Sequence, residues 1–457
     1  MKRILLAAGL TFATVSSFAQ LPKDPATYAP AEGYQIESLW MQCSKLGNKP
    51  ADINGSARGM AVLNGKIYVT MRRTVKEGEA SFNNGSLLIY DAQTGAFEKE
   101  LQLTGDDVSH TGILTTNDVQ VDDAGNLIVC SLCTNMSSEN DPFSVWIVNP
   151  ETGVCKNILK YTNIFADTYR IDCFGVYGDI TKDGFLMAAI SKDETVGGTK
   201  VFRWNFVNGA FPADADAQIV EIKEYASGSA LELGNSDAPR VTPIDTENFY
   251  LDPQTGWATL YNMNGEIVEG FNTAELKDFQ PENGGGNNGV DEFSYNGDDF
   301  VVYVISNTAH PTYPQAWNIC KLGEGMTFAG MKKIARIPDG GLGTESNGVR
   351  TALPRIEVKD DGAHIYVFAT NGGMAAYKMS AVSAGIGSSY EEGAVSIING
   401  TVVMKEAASV EVYTVAGQRV ASAAGVTSLM MPEASGLYIV KVTLANNKQV
   451  VLKALVD

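Results

Sequence analysis

Positive charge and histidine are both scarce in this sequence. Its 457 residues include 34 lysines and arginines against 53 aspartates and glutamates, which gives a formal net charge of −19. A chain this acidic repels nucleic acid and anionic lipid, so we predict neither as a partner. The only three histidines are His110, His310 and His364, and none stands at ligand spacing from a cysteine. The sequence therefore predicts no zinc site.

A segment that could cross a membrane is also missing. The apolar run Ile4 to Val15 is too short for a bilayer core of about 30 Å, which takes about 20 helical residues. It follows Lys2 and Arg3 and precedes Ser17-Phe18-Ala19, the pattern of a cleaved signal peptide. We predict a signal peptide over residues 1–19 and an exported protein without a transmembrane segment. Its expected location is the cell surface or the extracellular space, with the periplasm as the alternative.

Cysteine is present but does not define the fold. An exported chain meets an oxidising compartment, where its six cysteines are permitted to form disulfides. A core of this size does not require them. Cys130 and Cys133 form a C-x-x-C pattern inside a predicted strand, where positions i and i+3 point to opposite faces. We therefore assign this pair no local redox or metal role.

The common catalytic signatures are absent. No P-loop, dinucleotide fingerprint, G-x-S-x-G or H-E-x-x-H pattern occurs. Residues 122–126, 182–184 and 359–362 are rich in Asp and Gly, as calcium loops are. They lack the alternating ligands of an EF-hand and fall where hairpin turns are expected. We predict no cofactor, with calcium as the one alternative.

An internal repeat determines the architecture. Apolar strands followed by a polar residue recur along the chain, and their last apolar positions are 58, 56, 57, 59 and 57 residues apart, at Tyr90, Val148, Trp204, Tyr261, Cys320 and Tyr377. Within each period, alternating and β-branched stretches separated by Asp, Asn and Gly predict antiparallel hairpins. Periods of about 40 to 60 residues with four strands each are typical of propeller blades.

We therefore predict an all-β chain: a six-bladed β-propeller over residues 20–380, a linker over 381–393 and a small β-sandwich-like module over 394–457. The sixth period stops after about three strands, so the strand Tyr34–Trp40 is expected to supply the fourth and remove an open edge. Residues 20–393 carry 27 basic against 49 acidic residues, and residues 394–457 carry five against four. This change in charge supports the boundary. We expect a monomer, with the five tryptophans packed between blades.

The C-terminal residues carry a resemblance to a known family. They include Val410–Val415 followed by a Gly417 turn, the strand Ser435–Val442 and the Lys453-containing last strand Val450–Val456. At these residues the chain resembles the C-terminal sorting domain of type IX secretion cargo in Bacteroidota. That resemblance implies passage across the outer membrane and attachment to the cell surface or release. A plain β-sandwich without a sorting role is the alternative.

The N-terminal region is similar to uncharacterised secreted propellers of the same bacteria. The similarity lies in Ser56–Val62 followed by Asn64–Thr70. It implies a fold and no particular activity.

Loops at one end of a propeller channel are where a ligand site is expected. The starts of the innermost strands and the loops between second and third strands supply the candidate ligand-binding residues Arg58, Arg72, Asn117, Asp118, Asp172, Arg240, Asp291, Glu292, His310, Tyr313 and Arg350. Arginines in a concave site suit capture of a carboxylate, such as that of an acidic sugar. The alternative is that these charges pair with one another. No catalytic residue is assigned from the sequence.

Three functions remain open at this stage. The favoured one is a non-catalytic exported propeller that binds a glycan or a protein partner at its channel face. The alternative is a hydrolase or lyase acting on an acidic polysaccharide, with carboxylates such as Asp118 and Asp291 as acid and base. A structural role in the envelope is the third.

Overall fold

The fold is described from a computed structural model of the chain. It covers residues 20–456 except 78–79, 107, 109–113, 137, 140, 163–169, 191–199, 223–238, 254–256, 272, 281–288, 306–313, 346–350, 383–394, 399, 433 and 446–448. The predicted signal peptide and most of the predicted linker lie outside these residues. The chain divides into two compact units, one ending at Ser380 and the other beginning at Ala381.

Antiparallel sheets make up the first unit, which opens with strand β1 (Tyr34–Cys43). Sheet 1 contains β2 (Ala57–Leu63), β3 (Lys66–Glu77), β4 (Ala80–Asp91) and β5 (Phe97–Gln102). Sheet 2 contains β6 (Leu114–Val121), β7 (Leu127–Leu132), β8 (Phe143–Val148) and β9 (Cys155–Tyr161). Sheet 3 contains β10 (Gly175–Tyr177), β11 (Phe185–Ala189), β12 (Lys200–Asn205) and β13 (Gln218–Glu221).

The pattern continues through the rest of this unit. Sheet 4 contains β14 (Arg240–Pro243), β15 (Asn248–Asp252), β16 (Thr259–Asn262) and β17 (Ile267–Glu269), followed by a 3-10 helix (Ala274–Phe279). Sheet 5 contains β18 (Val290–Tyr295), β19 (Asp298–Val304), β20 (Trp317–Lys321) and β21 (Lys332–Ile337). Sheet 6 contains β22 (Ala352–Lys359), β23 (Gly362–Ala369), β24 (Gly373–Ala381) and, at its edge, β1. The predicted all-β class with repeated four-stranded antiparallel sheets is confirmed.

Apolar side chains are buried between consecutive sheets. Strands β7 and β11, with sequences LIVCSL and FLMAA, are buried along their whole length. One core joins sheets 2 and 3 through residues such as Phe143 and Trp204, whose rings stack 5.3 Å apart. Other cores join sheet 1 to sheet 2, sheet 3 to sheet 4, sheet 4 to sheet 5 and sheet 6 to sheet 1. Burial on both faces explains why the central strands are continuously apolar rather than alternating.

The first strand of each sheet contacts the first strand of the next. Strand β2 contacts β6, β6 contacts β10, β10 contacts β14, β18 contacts β22, and β22 returns to β2. Between β14 and β18, the Thr242 hydroxyl donates to the Val290 carbonyl oxygen at 3.3 Å. These contacts bring residues far apart in the chain into one central region, where the candidate site lies.

Strand β1 joins sheet 6 at the place that the sequence predicted for an N-terminal strand. Its Trp40 side chain is buried in the core between sheets 6 and 1, and its indole nitrogen donates to Ala92 O at 2.9 Å. Just before β1, the buried Asp24 carboxylate accepts a hydrogen bond from Tyr377 of β24 at 2.9 Å. The tryptophans are packing residues as predicted, because the exposed fraction of each, Trp257 included, is 8% or less.

The second unit is one five-stranded sheet. Its strands are β25 (Val395–Ile398), β26 (Thr401–Thr414), β27 (Arg419–Met430), β28 (Gly436–Thr443) and β29 (Gln449–Val456). The long strand β26 pairs with three neighbours, and alternate residues of it, such as Val410 and Val412, enter a core of its own. Among the described residues, no helix is long and apolar enough to span a membrane.

We predict that closure of sheet 6 by β1 is essential for stability. A chain starting at Lys45 loses the buried Trp40 and the Asp24 contact, so its melting temperature should fall well below that of a chain starting at Gln20. The substitution Trp40→Ala alone should cost about 3–5 kcal/mol in urea unfolding, as truncation of a buried aromatic does. The control is Val207→Ala, whose side chain is 52% exposed. Equal melting temperatures for the two chain lengths would contradict this role of β1.

Candidate functional site

A cavity of about 860 Å³ lies where the first strands meet. Its lining includes Gln120, Tyr177, Thr242, Asp291 and Arg355, each from a different first strand. Loop residues beyond β14 and β20, such as Asp245 and Met326, complete the wall. A volume of this size falls in the range of about 300–1,000 Å³ that small-molecule sites occupy.

Two neighbouring carboxyls of β18 have raised pKa values in this cavity. Burial raises the pKa of Asp291 to about 6, although the Arg355 guanidinium opposes the shift. Burial raises the pKa of Glu292 to about 7, the nearby Tyr250 hydroxyl acts against this shift, and the carboxylates of Asp299 and Asp291 add to it. Near neutral pH, a carboxyl group in such a place still carries a proton that it can donate.

The lining of the cavity is acidic overall. It includes the carboxyls of Asp123, Asp245, Glu269, Asp291 and Glu292, and its one positively charged side chain among the described residues is Arg355. Such a wall repels an anionic ligand and favours a neutral one.

Arg355 is fixed by three hydrogen bonds across two sheets. Its guanidinium donates to Met60 O at 3.0 Å, to Pro354 O at 2.8 Å and to the Gln120 side-chain oxygen at 3.1 Å. The Gln120 amide nitrogen in turn donates to Asp118 at 3.2 Å and to Phe174 O at 3.0 Å. The floor of the cavity is therefore a connected polar layer, and its donors are held in place before any ligand binds.

A buried ion pair continues this layer beyond the cavity. Arg240 Nη1 lies 2.6 Å from Asp118 Oδ2, and the two side chains are 2% and 0% exposed. Burial lowers the pKa of Arg240, but the Asp118 carboxylate reverses the shift and raises it above the ordinary value. Asp118 and Arg240, two of the ligand-binding residues expected from the sequence, are thus paired with each other and almost fully buried. This arrangement fits the alternative that the sequence left open, in which these charges pair with one another.

A third group of charged residues lies near the starts of the first strands. Arg170 binds Asp172 through two nitrogens at 2.5 and 2.6 Å. Arg58 Nη1 lies 3.8 Å from the same carboxylate and 3.4 Å from the Asn117 side-chain oxygen. Arg58 and Arg72 both donate to Gly55 O, at 3.2 and 3.4 Å. We call Arg58, Arg72, Arg170 and Asp172 the arginine cluster.

The ring of site residues expected from the sequence is thus divided. Asp291 and Glu292 lie in the cavity, Asp118 and Arg240 form the buried pair, and Arg58, Arg72, Asn117 and Asp172 lie in or beside the arginine cluster. His310, Tyr313 and Arg350 lie outside the described residues. Arg355, Gln120 and Asp245 also line the cavity and were not expected from the sequence, because Arg355 and Gln120 lie further along their strands and Asp245 lies in the loop after β14.

The Asp-rich segment 122–126 is a turn in which the Asp122 carboxylate accepts several hydrogen bonds from the backbone. The Asp122 side chain accepts hydrogen bonds from the backbone nitrogens of Ala124, Asn126 and Ile180 at 3.0, 2.7 and 2.9 Å. The structural interpretation of this segment fits these contacts, because an Asp that caps its own turn gains its stability from the backbone. Within the described residues, no group of three or more metal-ligating side chains is found.

Comparisons with known proteins give distant structural matches. No family model and no curated protein matches the chain. A Penicillium chrysogenum α-L-arabinanase complexed with arabinobiose is 12% identical over 78% of this chain and 99% of its own, with a TM-score of 0.41. A GH93 α-L-arabinofuranosidase of Fusarium graminearum is 11% identical over 76% and 98%, at 0.42. The soluble aldose sugar dehydrogenase of Escherichia coli is 12% identical over 76% and 99%, at 0.40.

The expectation of a non-catalytic binding protein was wrong. Several of the similar structures are glycoside hydrolases, whereas the sequence analysis had placed catalysis second. At this level of similarity, only the chain's own residues can indicate an activity. The chain's own candidates are the cavity carboxyls of Asp291 and Glu292, because shifted pKa values in a cavity are typical of functional sites.

We predict that Arg240→Met destabilises the fold by about 3–5 kcal/mol in urea unfolding, because it leaves the Asp118 carboxylate buried without its cation. Adding Asp118→Asn to this variant should recover part of the loss, since the uncompensated charge is then removed. The matched control is Arg419→Met, which breaks an ion pair with Glu411 whose arginine is 57% exposed and should cost less than about 1 kcal/mol. A loss no larger for Arg240→Met than for Arg419→Met would contradict the importance of the buried pair.

Proposed function

We propose that the chain is a glycoside hydrolase that cleaves a neutral glycan in the cavity of the first unit. The observation that carries the proposal is the pair Asp291 and Glu292, two neighbouring carboxyls with pKa values raised to about 6 and about 7 in one cavity. Glycoside hydrolysis needs two carboxyl groups in different protonation states. When their surroundings give two carboxyls different pKa values, the group with the higher pKa keeps its proton and acts as the acid, and the other acts as the base.

The roles follow from the surroundings of each carboxyl. Glu292 has the higher pKa and is the general acid, which protonates the glycosidic oxygen as the bond to the sugar carbon breaks. Asp291 faces the Arg355 guanidinium, whose charge favours the ionised form. It is the base that takes a proton from the attacking water. We propose an inverting mechanism, because successive residues of a strand point to opposite faces and an inverting enzyme needs its two carboxyls far enough apart to admit water.

The charges favour a neutral glycan over an acidic one and hydrolysis over elimination. A lyase must neutralise the carboxylate of an acidic sugar before it abstracts the neighbouring proton. Among the described residues that line the cavity, Arg355 is the one cation available for this, against five carboxyls. The arginines that suggested an acidic polysaccharide do not line the cavity: Arg240 is paired with Asp118, and Arg58 belongs to the arginine cluster.

The arrangement of the sheets supports a finer proposal for the fold. We infer that sheets 1 to 6 are the six blades of a β-propeller, closed by β1, and that the cavity lies in its central channel. The contacts from β2 through β22 and back to β2, with the Thr242–Val290 hydrogen bond joining β14 to β18, support this arrangement. Residues 20–380 are then the catalytic unit.

The proposed activity is tested by assaying release of reducing ends from a panel of neutral and acidic glycans. We expect Asp291→Asn and Glu292→Gln each to lower kcat about 10²–10⁴-fold, the usual contribution of a general acid or base. The rate of the unmodified chain should fall at pH values above about 7, where Glu292 loses its proton, and below about 6, where Asp291 gains one.

The control substitution is Glu324→Gln, an exposed carboxyl in the turn between β20 and β21 that is not part of the cavity lining, and it should leave kcat unchanged. Stability gives a second check. A carboxyl whose folded pKa is raised destabilises the fold as pH rises through that range. Asp291→Asn should therefore raise the melting temperature at pH 8 and have little effect at pH 4. No cleavage of any glycan, or equal activity of the Asp291 and Glu324 variants, would overturn the proposal.

The location of the protein is a separate proposal. Residues 1–19 are proposed as a signal peptide, and the second unit as a sorting domain of the type IX secretion kind. The support is the resemblance of Val410–Val415, Ser435–Val442 and Val450–Val456 to that domain. The compact sheet of β25 to β29 with its own core suits a separate module.

Deletion of residues 394–457 tests this proposal in a bacterium with type IX secretion. We expect the truncated chain to stay inside the outer membrane, whereas the full chain reaches the surface or the medium, as measured by fractionation and immunoblotting. The control is the exposed substitution Val415→Ala, which should not alter secretion. Normal secretion of the truncated chain would mean that the second unit has no sorting role.

A further inference from the structure

The arginine cluster holds more positive charge than its partners neutralise. Three guanidiniums, those of Arg58, Arg72 and Arg170, share the single carboxylate of Asp172 within the described residues. Arg170 occupies both oxygens of that carboxylate. Arg58 is left with a longer contact of 3.8 Å to it.

The guanidiniums of Arg58 and Arg72 lie side by side. They come from the neighbouring strands β2 and β3, and both donate to the same carbonyl oxygen, that of Gly55. Like charges held together in a partly buried place repel one another. Burial lowers the pKa of Arg58 to about 10, and the charges of Arg72 and Arg170 act in the same direction.

The donors of Arg72 are incompletely used. Its Nε atom is shielded from solvent and has no hydrogen-bond acceptor in the described part of the chain. A buried donor without an acceptor costs about 1–3 kcal/mol. The cluster is nonetheless open to solvent, since the Arg170 side chain is 34% exposed and that of Arg58 is 13% exposed.

From these contacts we infer that the arginine cluster is a second ligand site, which binds an oxyanion: the carboxylate, sulfate or phosphate group of a small molecule or glycan. An oxyanion there accepts hydrogen bonds from the guanidinium N–H groups of Arg58 and Arg72. Guanidinium groups are planar and bind the oxygens of an oxyanion in pairs. It offsets the excess positive charge and supplies the acceptor that Arg72 Nε lacks. The site is distinct from the acidic cavity, shares none of its residues, and does not depend on the proposed hydrolysis.

The test is isothermal titration calorimetry of the chain from Gln20 to Asp457, at constant ionic strength set with sodium chloride. The probes are sodium sulfate, inorganic phosphate, sodium glucuronate and, as the neutral reference, glucose. We expect at least one oxyanion to bind with one-to-one stoichiometry. Which probe binds identifies the group as a carboxylate or as a tetrahedral oxyanion.

Two variants on one strand give the decisive comparison. Arg72→Gln should weaken binding of that oxyanion at least about 10-fold, because it removes one of the two forks. The matched control is Arg73→Gln, which makes the same change of charge at the next residue. Arg73 is already paired with Glu100 at 2.8 Å and Asp52 at 3.0 Å, so its replacement should change affinity less than about 2-fold.

A further variant guards against loss of folding. Arg170→Gln alters a more exposed side chain, and its melting temperature without ligand should match that of the unmodified chain within a few degrees. It should also weaken oxyanion binding, because it removes one of the three positive charges. The proposal is overturned if no oxyanion binds, if glucose binds equally well, or if Arg73→Gln weakens binding as much as Arg72→Gln.

Discussion

The centre of the first unit depends on a buried charge pair. Asp118 of β6 and Arg240 of β14 come from sheets that are not neighbours, yet they meet at 2.6 Å with almost no exposure. Charges of this kind are tolerated only when they are paired and hydrogen-bonded. Gln120 and Arg355 extend the pair to β22 of sheet 6. The first strands must therefore keep one spacing around this layer, and the shape of the cavity follows from it.

Two groups of residues of opposite charge lie in the central region of the first unit. In the part of the chain that the structure describes, the cavity is lined by five carboxyls and one arginine, whereas the arginine cluster contains three guanidiniums and one carboxylate. A net charge of −19 predicts an acidic surface on average, but it cannot reveal that a positive site persists near the starts of the first strands. The two sites favour ligands of different charge.

The repeating sheets were predictable from the sequence because their signal is local. Each period of about 57 residues contains its own hairpins, and burial of each sheet between two others makes the central strands apolar. The site was predictable only in part. Asp291 and Glu292 were chosen by their position in the repeat. Arg355 lies later in its strand and gains its role only from Met60 and Gln120. The pKa values of the carboxyls depend on burial among several sheets, which no local pattern encodes.

Close packing of the first strands requires glycine at two positions, Gly59 and Gly175. A Cβ atom on Gly59 of β2 would lie 2.7 Å from Asp118 Oδ1, and one on Gly175 of β10 would lie 2.6 Å from Val241 O. Both distances are far inside normal contact, so only glycine allows the adjacent first strands to approach this closely. Gly59 leads directly to the buried ion pair, because the side chain that it would strike is Asp118. Gly59 and the Asp118–Arg240 pair thus depend on the same spacing between the first strands, because the strands must be near enough for Asp118 to reach Arg240. That spacing also leaves room for the cavity between the strands.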